Sequence, residues 1–103
     1  MENHLITITG QEHYFGIEPY EVEELVYIAK EPDNLYDPEA IRIELPFVGI
    51  IGYVANSTTT VFRGTLSAGS LYDKIGDYAY ARIMFASHEG IIAEVLPKEA
   101  VEA

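Results

Sequence analysis

The chain has 103 residues, 49% of them hydrophobic, with 17 acidic residues, six basic ones and a formal net charge of -11. A sequence this short and this apolar predicts one compact domain with a single core and excludes a disordered acidic tail. The absence of cysteine excludes disulfides, a thiol nucleophile and any thiolate metal or iron–sulfur site.

Six short segments have the composition or the alternation of β-strands. They are residues 5–9, 22–30, 40–45, 48–55, 78–86 and 90–96. In the third segment the alternation predicts that Ile41, Ile43 and Leu45 share one face of a half-buried strand, with Arg42 and Glu44 on the other.

The fourth and fifth segments carry further local signals. Gly49 and Gly52 in the fourth mark places where a bulge or a tight bend is expected. The fifth alternates again, which predicts one face formed by Ala79, Ala81, Ile83 and Phe85 and an opposite face formed by Tyr78, Tyr80, Arg82 and Met84.

Between the fourth and fifth strands the sequence has the signals of helices. Ser57 and Ser67 are candidate N-caps and Gly64 and Gly76 candidate stops, which predicts two short helices over residues 58–63 and 68–75. The elements together predict a mainly β fold with short helices. The expected form is a small, strongly bent sheet or partly closed barrel of five to six strands, with the helical insertion after the fourth.

Residues 31–40 make a connection that is longer than a tight turn requires. Two prolines restrict its backbone, and Asn34 and Asp37 are among the side chains that can bond to it, so we expect a rigid loop. One interpretation is structural, with these side chains shaping the turn. The other is functional, because Tyr36 beside the Asp37 acceptor suits a nucleotide base and a sugar hydroxyl. The residues alone leave both open.

Three blocks of sequence have a distinctive order and spacing. They are Thr9-Gly10 with His13-Tyr14-Phe15-Gly16, then EPDNLYDPEAIRI at residues 31–43, then Ile51-Gly52-Tyr53-Val54. Together they resemble the HIRAN domain over residues 5–96. This family occurs at the N-terminus of helicase-like chromatin-remodelling ATPases involved in fork repair, and as stand-alone bacterial proteins. The resemblance implies an OB-like barrel that captures the 3′-hydroxyl end of single-stranded DNA.

The resemblance also implies roles for individual residues. The family's Tyr and Asp contact the terminal nucleotide, with the Asp accepting a hydrogen bond from the 3′-hydroxyl, and these match Tyr36 and Asp37 here. The other positions that match binding residues of the family are His13, Tyr14, Asn34 and Tyr53.

The chain departs from the family pattern at three positions. Leu35 stands where the motif usually has Pro, Glu12 where the remodelling ATPase has Arg, and Asn56 where it has Lys. Contacts to phosphate are therefore expected from other basic residues. The candidates are Arg63, Lys74 and Arg82.

Each aromatic candidate also has a purely structural interpretation. Tyr14 could cap a barrel end, and Tyr53, on an apolar strand, could be buried in the core. Tyr78, Tyr80 and Arg82 form a stripe that could stack on bases. Cross-strand packing is the interpretation that the frequency of such pairs in sheets favours.

No catalytic or metal-binding pattern is present in the sequence. His4, His13 and His88 lack metal-ligand spacing, and no nucleophile motif surrounds any serine. Residues 64–70 superficially resemble a phosphate-binding loop, but Ser70 stands where that motif requires lysine. We therefore expect no cofactor, no metal and no enzymatic activity.

The acidic charge is unevenly distributed along the chain. Eleven of the acidic residues lie in residues 1–50, whereas residues 45–88 hold two acidic and three basic residues. A locally neutral or slightly basic face is thus compatible with nucleic-acid binding, although the net charge disfavours a long phosphate-driven footprint.

The sequence therefore predicts a non-catalytic module for the 3′ end of single-stranded DNA, acting in DNA repair with a DNA-processing protein partner. The alternative is a protein-interaction or structural barrel that has lost DNA affinity because of its acidic surface. Residues 1–5 lack the basic and apolar regions of a signal peptide, and no segment is long and apolar enough to span a membrane, so we expect a cytoplasmic protein.

Overall fold

A computed structural model describes residues 4–102 of the chain. The expectation that a signal peptide is absent was drawn from residues 1–5, and residues 1–3 lie outside the described part of the chain. Within them, no helix is long and apolar enough to cross a membrane.

Within residues 4–102, six antiparallel strands close into a barrel. They are β1 (His4–Thr9), β2 (Leu25–Lys30), β3 (Ile41–Leu45), β4 (Gly49–Val54), β5 (Tyr78–Ser87) and β6 (Gly90–Leu96). Their order around the barrel is β1-β4-β3-β2-β5-β6, and β6 pairs with β1 to complete the closure. The helix α1 (Ala68–Tyr72) lies in the connection from β4 to β5, as predicted, and α2 (Lys98–Glu102) follows β6. The sequence did not predict α2.

β-branched side chains fill the barrel interior. The almost fully buried residues include Ile6, Ile8, Val26, Ile28, Ile41, Ile43, Ile51, Ile83 and Ile91. Successive inward positions on each strand are two residues apart, and barrels of this size are filled by side chains. Burial of each such side chain stabilises the folded state by about 1.5–3 kcal/mol. The alternating pattern therefore favours a sheet that closes around these side chains.

The predicted irregularity of the fourth strand is a bulge beside Gly52. Ile43 faces Gly52 and Glu44 faces Ile50, which leaves Ile51 as the extra residue. A Cβ atom at Gly52 would overlap the Tyr20 hydroxyl and lie 3.0 Å from the Thr9 carbonyl oxygen. Because that space is empty, the buried Tyr20 hydroxyl can donate a 2.6 Å hydrogen bond to the Ile51 carbonyl oxygen.

The prediction of a helix at residues 58–63 is wrong, since this segment has no helical residue and consists mainly of turns. Ser57 does act as a local cap, because its hydroxyl oxygen accepts from the Thr59 amide at 3.2 Å. The run that follows is rich in β-branched residues, which disfavour helix. The amide of Phe62 donates instead to the Thr7 hydroxyl, at 3.0 Å, so the chain turns towards β1.

The second predicted helix forms but is shorter than expected. Ser67 caps α1 as predicted, because its hydroxyl oxygen accepts from the Ser70 amide at 3.1 Å. The helix ends at Tyr72 rather than at residue 75.

Two other predictions about strands are wrong in detail. Phe85 does not share the buried face of Ile83, because a bulge between them shifts the register of β5, and Phe85 is 48% exposed. The second strand begins at Leu25 rather than at residue 22. Glu23 has a left-handed φ of 78°, which interrupts the extended backbone at this point.

Candidate functional site

A cleft of about 570 Å³ opens near the seam between β1 and β4. At this seam Ile8 pairs with Val54 and Thr9 with Tyr53. We call it the tyrosine cleft; it is lined by Thr9, Tyr14, Asn34, Tyr36, Asp37, Ala40, Tyr53, Val54, Asn56, Ser57 and Thr60. Five of the nine predicted site residues line this cleft, although they come from three separate parts of the sequence. They are Tyr14, Asn34, Tyr36, Asp37 and Tyr53.

Asn34 fixes the backbone of the loop between β2 and β3. Its side-chain oxygen accepts from the amides of Tyr36 and Asp37, at 2.9 and 3.0 Å. Its side-chain nitrogen donates to Glu31 Oε1 at 2.8 Å. The Glu31 amide in turn donates to the Ala40 carbonyl oxygen at 2.8 Å, which closes the base of the loop. These bonds support the structural interpretation of Asn34, and the loop that it holds presents Tyr36 and Asp37.

The side chain of Tyr36 extends into solvent at the mouth of the tyrosine cleft. It is 96% exposed, and the neighbouring Leu35 is 93% exposed. The backbone of Tyr36 is held by Asn34 while its ring remains uncovered. An aromatic face in this position is available to stack on a flat ligand group.

The Asp37 carboxylate is held by two neutral donors. Its Oδ1 accepts from the Glu39 amide at 2.9 Å, and its Oδ2 accepts from Asn56 Nδ2 at 2.9 Å. Within residues 4–102 it forms no ion pair with a basic side chain. A carboxylate has about four acceptor positions, so Asp37 keeps acceptor capacity for a hydroxyl donor from a ligand.

Asn56 is a site residue that the sequence did not identify as a binding candidate. Besides bonding Asp37, its Nδ2 lies 3.3 Å from Glu39 Oε1, and its Oδ1 accepts from the Gly69 amide at 2.8 Å. It therefore ties the β2–β3 loop to the first turn of α1. The departure from the family's lysine at this position was the only signal in the sequence.

The Tyr53 ring forms a wall of the tyrosine cleft rather than part of the core. Its hydroxyl donates to both carboxylate oxygens of Glu31, each at 3.1 Å. Burial of the hydroxyl, together with these bonds, raises the pKa of Tyr53. The half-exposed Tyr14 ring lies 6.4 Å from it between centroids, at an angle of 41°. Two of the tyrosines therefore form one tilted aromatic surface.

The other four predicted residues do not line the tyrosine cleft. His13 is exposed on the 3₁₀-helix Gln11–His13. Arg82 donates to Glu94 Oε1 at 2.8 Å, and Lys74 is exposed in the turn after α1. Arg63 lines a separate cleft, described below.

The stripe of aromatic residues on β5 packs across strands. The Tyr78 ring stacks on Tyr27 at 5.2 Å between centroids, and Tyr80 meets Tyr27 edge-on at 5.8 Å. Lys98 lies over the Tyr78 ring at 4.4 Å. These contacts support the packing interpretation of the stripe.

The side chains around the tyrosine cleft define what it can bind. They provide aromatic faces, amide groups, hydroxyls and one carboxylate, and none of the described lining residues is basic. In the same part of the chain, no group of three or more His, Asp or Glu side chains could hold a metal ion. The arrangement fits a flat aromatic group that carries a hydroxyl donor.

A small closed β-barrel with a cleft at the β1–β4 seam is the class of protein that these observations define. No protein-family model and no curated protein matches the sequence. Two solved structures match the fold. A Lactobacillus plantarum protein aligns with a TM-score of 0.65 and 18% identity, over 92% of this chain and 91% of the other. The HIRAN domain of human HLTF aligns with a TM-score of 0.61 and 18% identity, over 96% and 78%. The chain therefore has a HIRAN-like fold.

Proposed function

We propose that this chain is a non-catalytic nucleic-acid-binding module that holds the 3′-hydroxyl end of a single DNA strand in the tyrosine cleft. The observation that carries the proposal is the convergence of three tyrosine rings and the Asp37 carboxylate on one cleft. The HIRAN-like fold and the sequence resemblance support the same function.

Stacking is the first part of the proposed recognition. A terminal base would lie against the surface formed by Tyr14 and Tyr53, with the uncovered Tyr36 ring closing over it. Stacking of a base on an aromatic side chain is worth about 1–3 kcal/mol and is tolerant of sequence. We therefore expect weak preference among the four bases.

Recognition of the terminal hydroxyl is the second part. Asp37 is oriented by the Glu39 amide and by Asn56, and it would accept from the 3′-hydroxyl of the last sugar. A hydrogen bond to a charged group is worth about 1.5–3 kcal/mol. A 3′-phosphate would instead bring negative charge against this carboxylate, with no basic side chain in the described cleft lining to compensate.

The experiment compares labelled single-stranded oligonucleotides that end in a 3′-hydroxyl or a 3′-phosphate, using fluorescence anisotropy. The unmodified protein should bind the hydroxyl end at least about tenfold more tightly, as expected for one charge-assisted bond. Asp37→Ala should lose most of this preference. Asp33→Ala is the matched control, because it removes the same charge from an exposed position of the same loop. Equal affinity for both ends, or equal behaviour of the two variants, would contradict the proposal.

Protein interaction is the second candidate function. Phe47, at the tip of the β3–β4 hairpin, is fully exposed and has a left-handed φ of 65°. A left-handed φ is uncommon for a bulky residue, and a contact of the exposed ring with a protein partner would offset its cost. If no oligonucleotide binds at low salt, while a purified protein partner binds and Phe47→Ser abolishes that complex, this second function is the correct one.

A further inference from the structure

A second cleft adjoins the tyrosine cleft and has a different lining. Its volume is about 400 Å³, and it shares Asn56 and Ser57 with the tyrosine cleft. We call it the hydroxyl cleft, because its polar lining includes Ser57, Thr58, Thr65, Ser67 and Ser70, together with Arg63. The Thr65 hydroxyl already donates to the Phe62 carbonyl oxygen and the Ser67 hydroxyl to Ser70 Oγ. The Ser70 hydroxyl and the Arg63 guanidinium are among the remaining donors, and such groups suit phosphate oxygens.

Among the described residues, Arg63 is one of two basic side chains that form no ion pair or ring contact. Lys30 donates to the Ile75 carbonyl oxygen, Arg42 pairs with Glu31 and Glu44, Arg82 pairs with Glu94, and Lys98 lies over the Tyr78 ring. For Arg63 and Lys74, residues 4–102 contain no ion pair or ring contact. Of these two, only Arg63 lines either cleft.

The turn that carries Arg63 is anchored on β1. The Phe62 amide donates to the buried Thr7 hydroxyl at 3.0 Å, and this hydroxyl lies 2.8 Å from the Thr65 hydroxyl oxygen. The Leu66 amide donates to the Leu5 carbonyl oxygen at 2.8 Å. Since the backbone is fixed on both sides of Arg63, a ligand would not have to order this turn.

The Phe62 ring holds the same turn from the other side. It packs so closely on the buried Gly90 that a Cβ atom there would overlap the ring. The turn is thus joined to β6 as well as to β1. The exposed Arg63 side chain projects from a rigid part of the barrel.

We infer that the hydroxyl cleft is a phosphate subsite, in which Arg63 and the surrounding hydroxyls hold the sugar–phosphate backbone on the 5′ side of the terminal nucleotide. The inference rests on the proposed function of the tyrosine cleft. The strand would run from Asp37 across Asn56 and Ser57, which border both clefts, to Arg63. The module would therefore bind more than the terminal nucleotide, with one main cationic contact.

The experiment measures the binding of two probes to the unmodified protein and to three variants. The probes are thymidine, which has a 3′-hydroxyl but no phosphate, followed by NMR titration, and a four-nucleotide oligo-dT with a free 3′-hydroxyl, followed at several salt concentrations. Arg63→Gln should weaken oligo-dT binding about five- to tenfold at low salt. It should also lower the slope of log affinity against log salt by about 0.7, the value for one phosphate contact on a single strand. Its thymidine affinity should not change.

Lys74→Gln is the matched control, because it removes the same charge from an exposed residue that lines neither cleft. It should leave the slope unchanged, and Arg63→Lys should restore it. If thymidine binds but Arg63→Gln and Lys74→Gln give the same slope, the phosphate subsite is wrong while the proposed function stands. If neither probe binds the unmodified protein, both are wrong.

Discussion

Replacing Asn56 by aspartate tests the hydrogen bonds that orient Asp37. In the native chain Asn56 Nδ2 lies 2.9 Å from Asp37 Oδ2 and 3.3 Å from Glu39 Oε1. Asn56→Asp keeps the shape of the side chain but places a carboxylate oxygen where this donor stands. The oxygen that accepts from the Gly69 amide is retained, so the change is confined to the side facing the two acids.

The magnitude follows from these distances. Two unit charges about 3 Å apart repel by roughly 1.4 kcal/mol in water and by roughly 5.5 kcal/mol at an effective dielectric constant of 20. The cleft is open to solvent, so the repulsion lies towards the lower value. Loss of a bond to a charged acceptor adds about 1.5 kcal/mol. We expect Asn56→Asp to lower the free energy of unfolding by about 2–4 kcal/mol at pH 7.

The loss should depend on pH with a defined sign. Crowding of like charges raises the pKa of the carboxyl groups in the folded variant above their unfolded values near 4. The loss of stability is greatest at a pH where these carboxyl groups are ionised in both the folded and the unfolded protein. It disappears as the pH falls below the pKa values of the unfolded state. The difference in stability between the native protein and the variant should therefore shrink from pH 7 to pH 3.5.

The assay is urea unfolding of both proteins at the two pH values. Thr58→Asp is the control, because it adds the same charge at an exposed position of the neighbouring turn. A variant at Asn56 that is no less stable than this control at pH 7 would refute the role of Asn56. So would a deficit of equal size at both pH values.

Two further substitutions test other parts of the cleft. Tyr53→Phe removes the hydroxyl bonded to Glu31 but keeps the ring. It should lower the stability measured by thermal unfolding by about 1–2 kcal/mol and change oligonucleotide affinity less than twofold. A large loss of affinity would show that the hydroxyl, not the ring, is needed. Gly52→Ala should destabilise the protein by about 1–3 kcal/mol, because the new methyl group would overlap the Tyr20 hydroxyl. Gly76→Ala is the control and should be nearly neutral, because a methyl group there meets no close neighbour. Equal melting temperatures for these two variants would contradict the packing argument.

Local patterns in the sequence were sufficient to predict the barrel. Alternation places Ile41 and Ile43 on the buried face of β3, and burial of such residues on all six strands closes the sheet. The loop between β2 and β3 was also predictable, because prolines and Asn34 restrict it locally.

The interactions that depend on distant partners were not predictable in this way. Asn56 bonds Asp37, Glu39 and Gly69, which are 13 to 19 residues away, so its role exists only in the folded barrel. Alternation also cannot reveal the bulge that exposes Phe85, because a single extra residue reverses the faces of the strand beyond it.

The most direct test of the central claim is an NMR titration of the ¹⁵N-labelled protein with a short single-stranded DNA that has a free 3′-hydroxyl. If the tyrosine cleft holds the strand end, the largest shifts should occur at the amides of Tyr14, Tyr36, Asp37 and Tyr53 and at the side-chain amide of Asn56. Shifts confined to the stripe of Tyr78, Tyr80 and Arg82, or the absence of shifts at low salt, would contradict it.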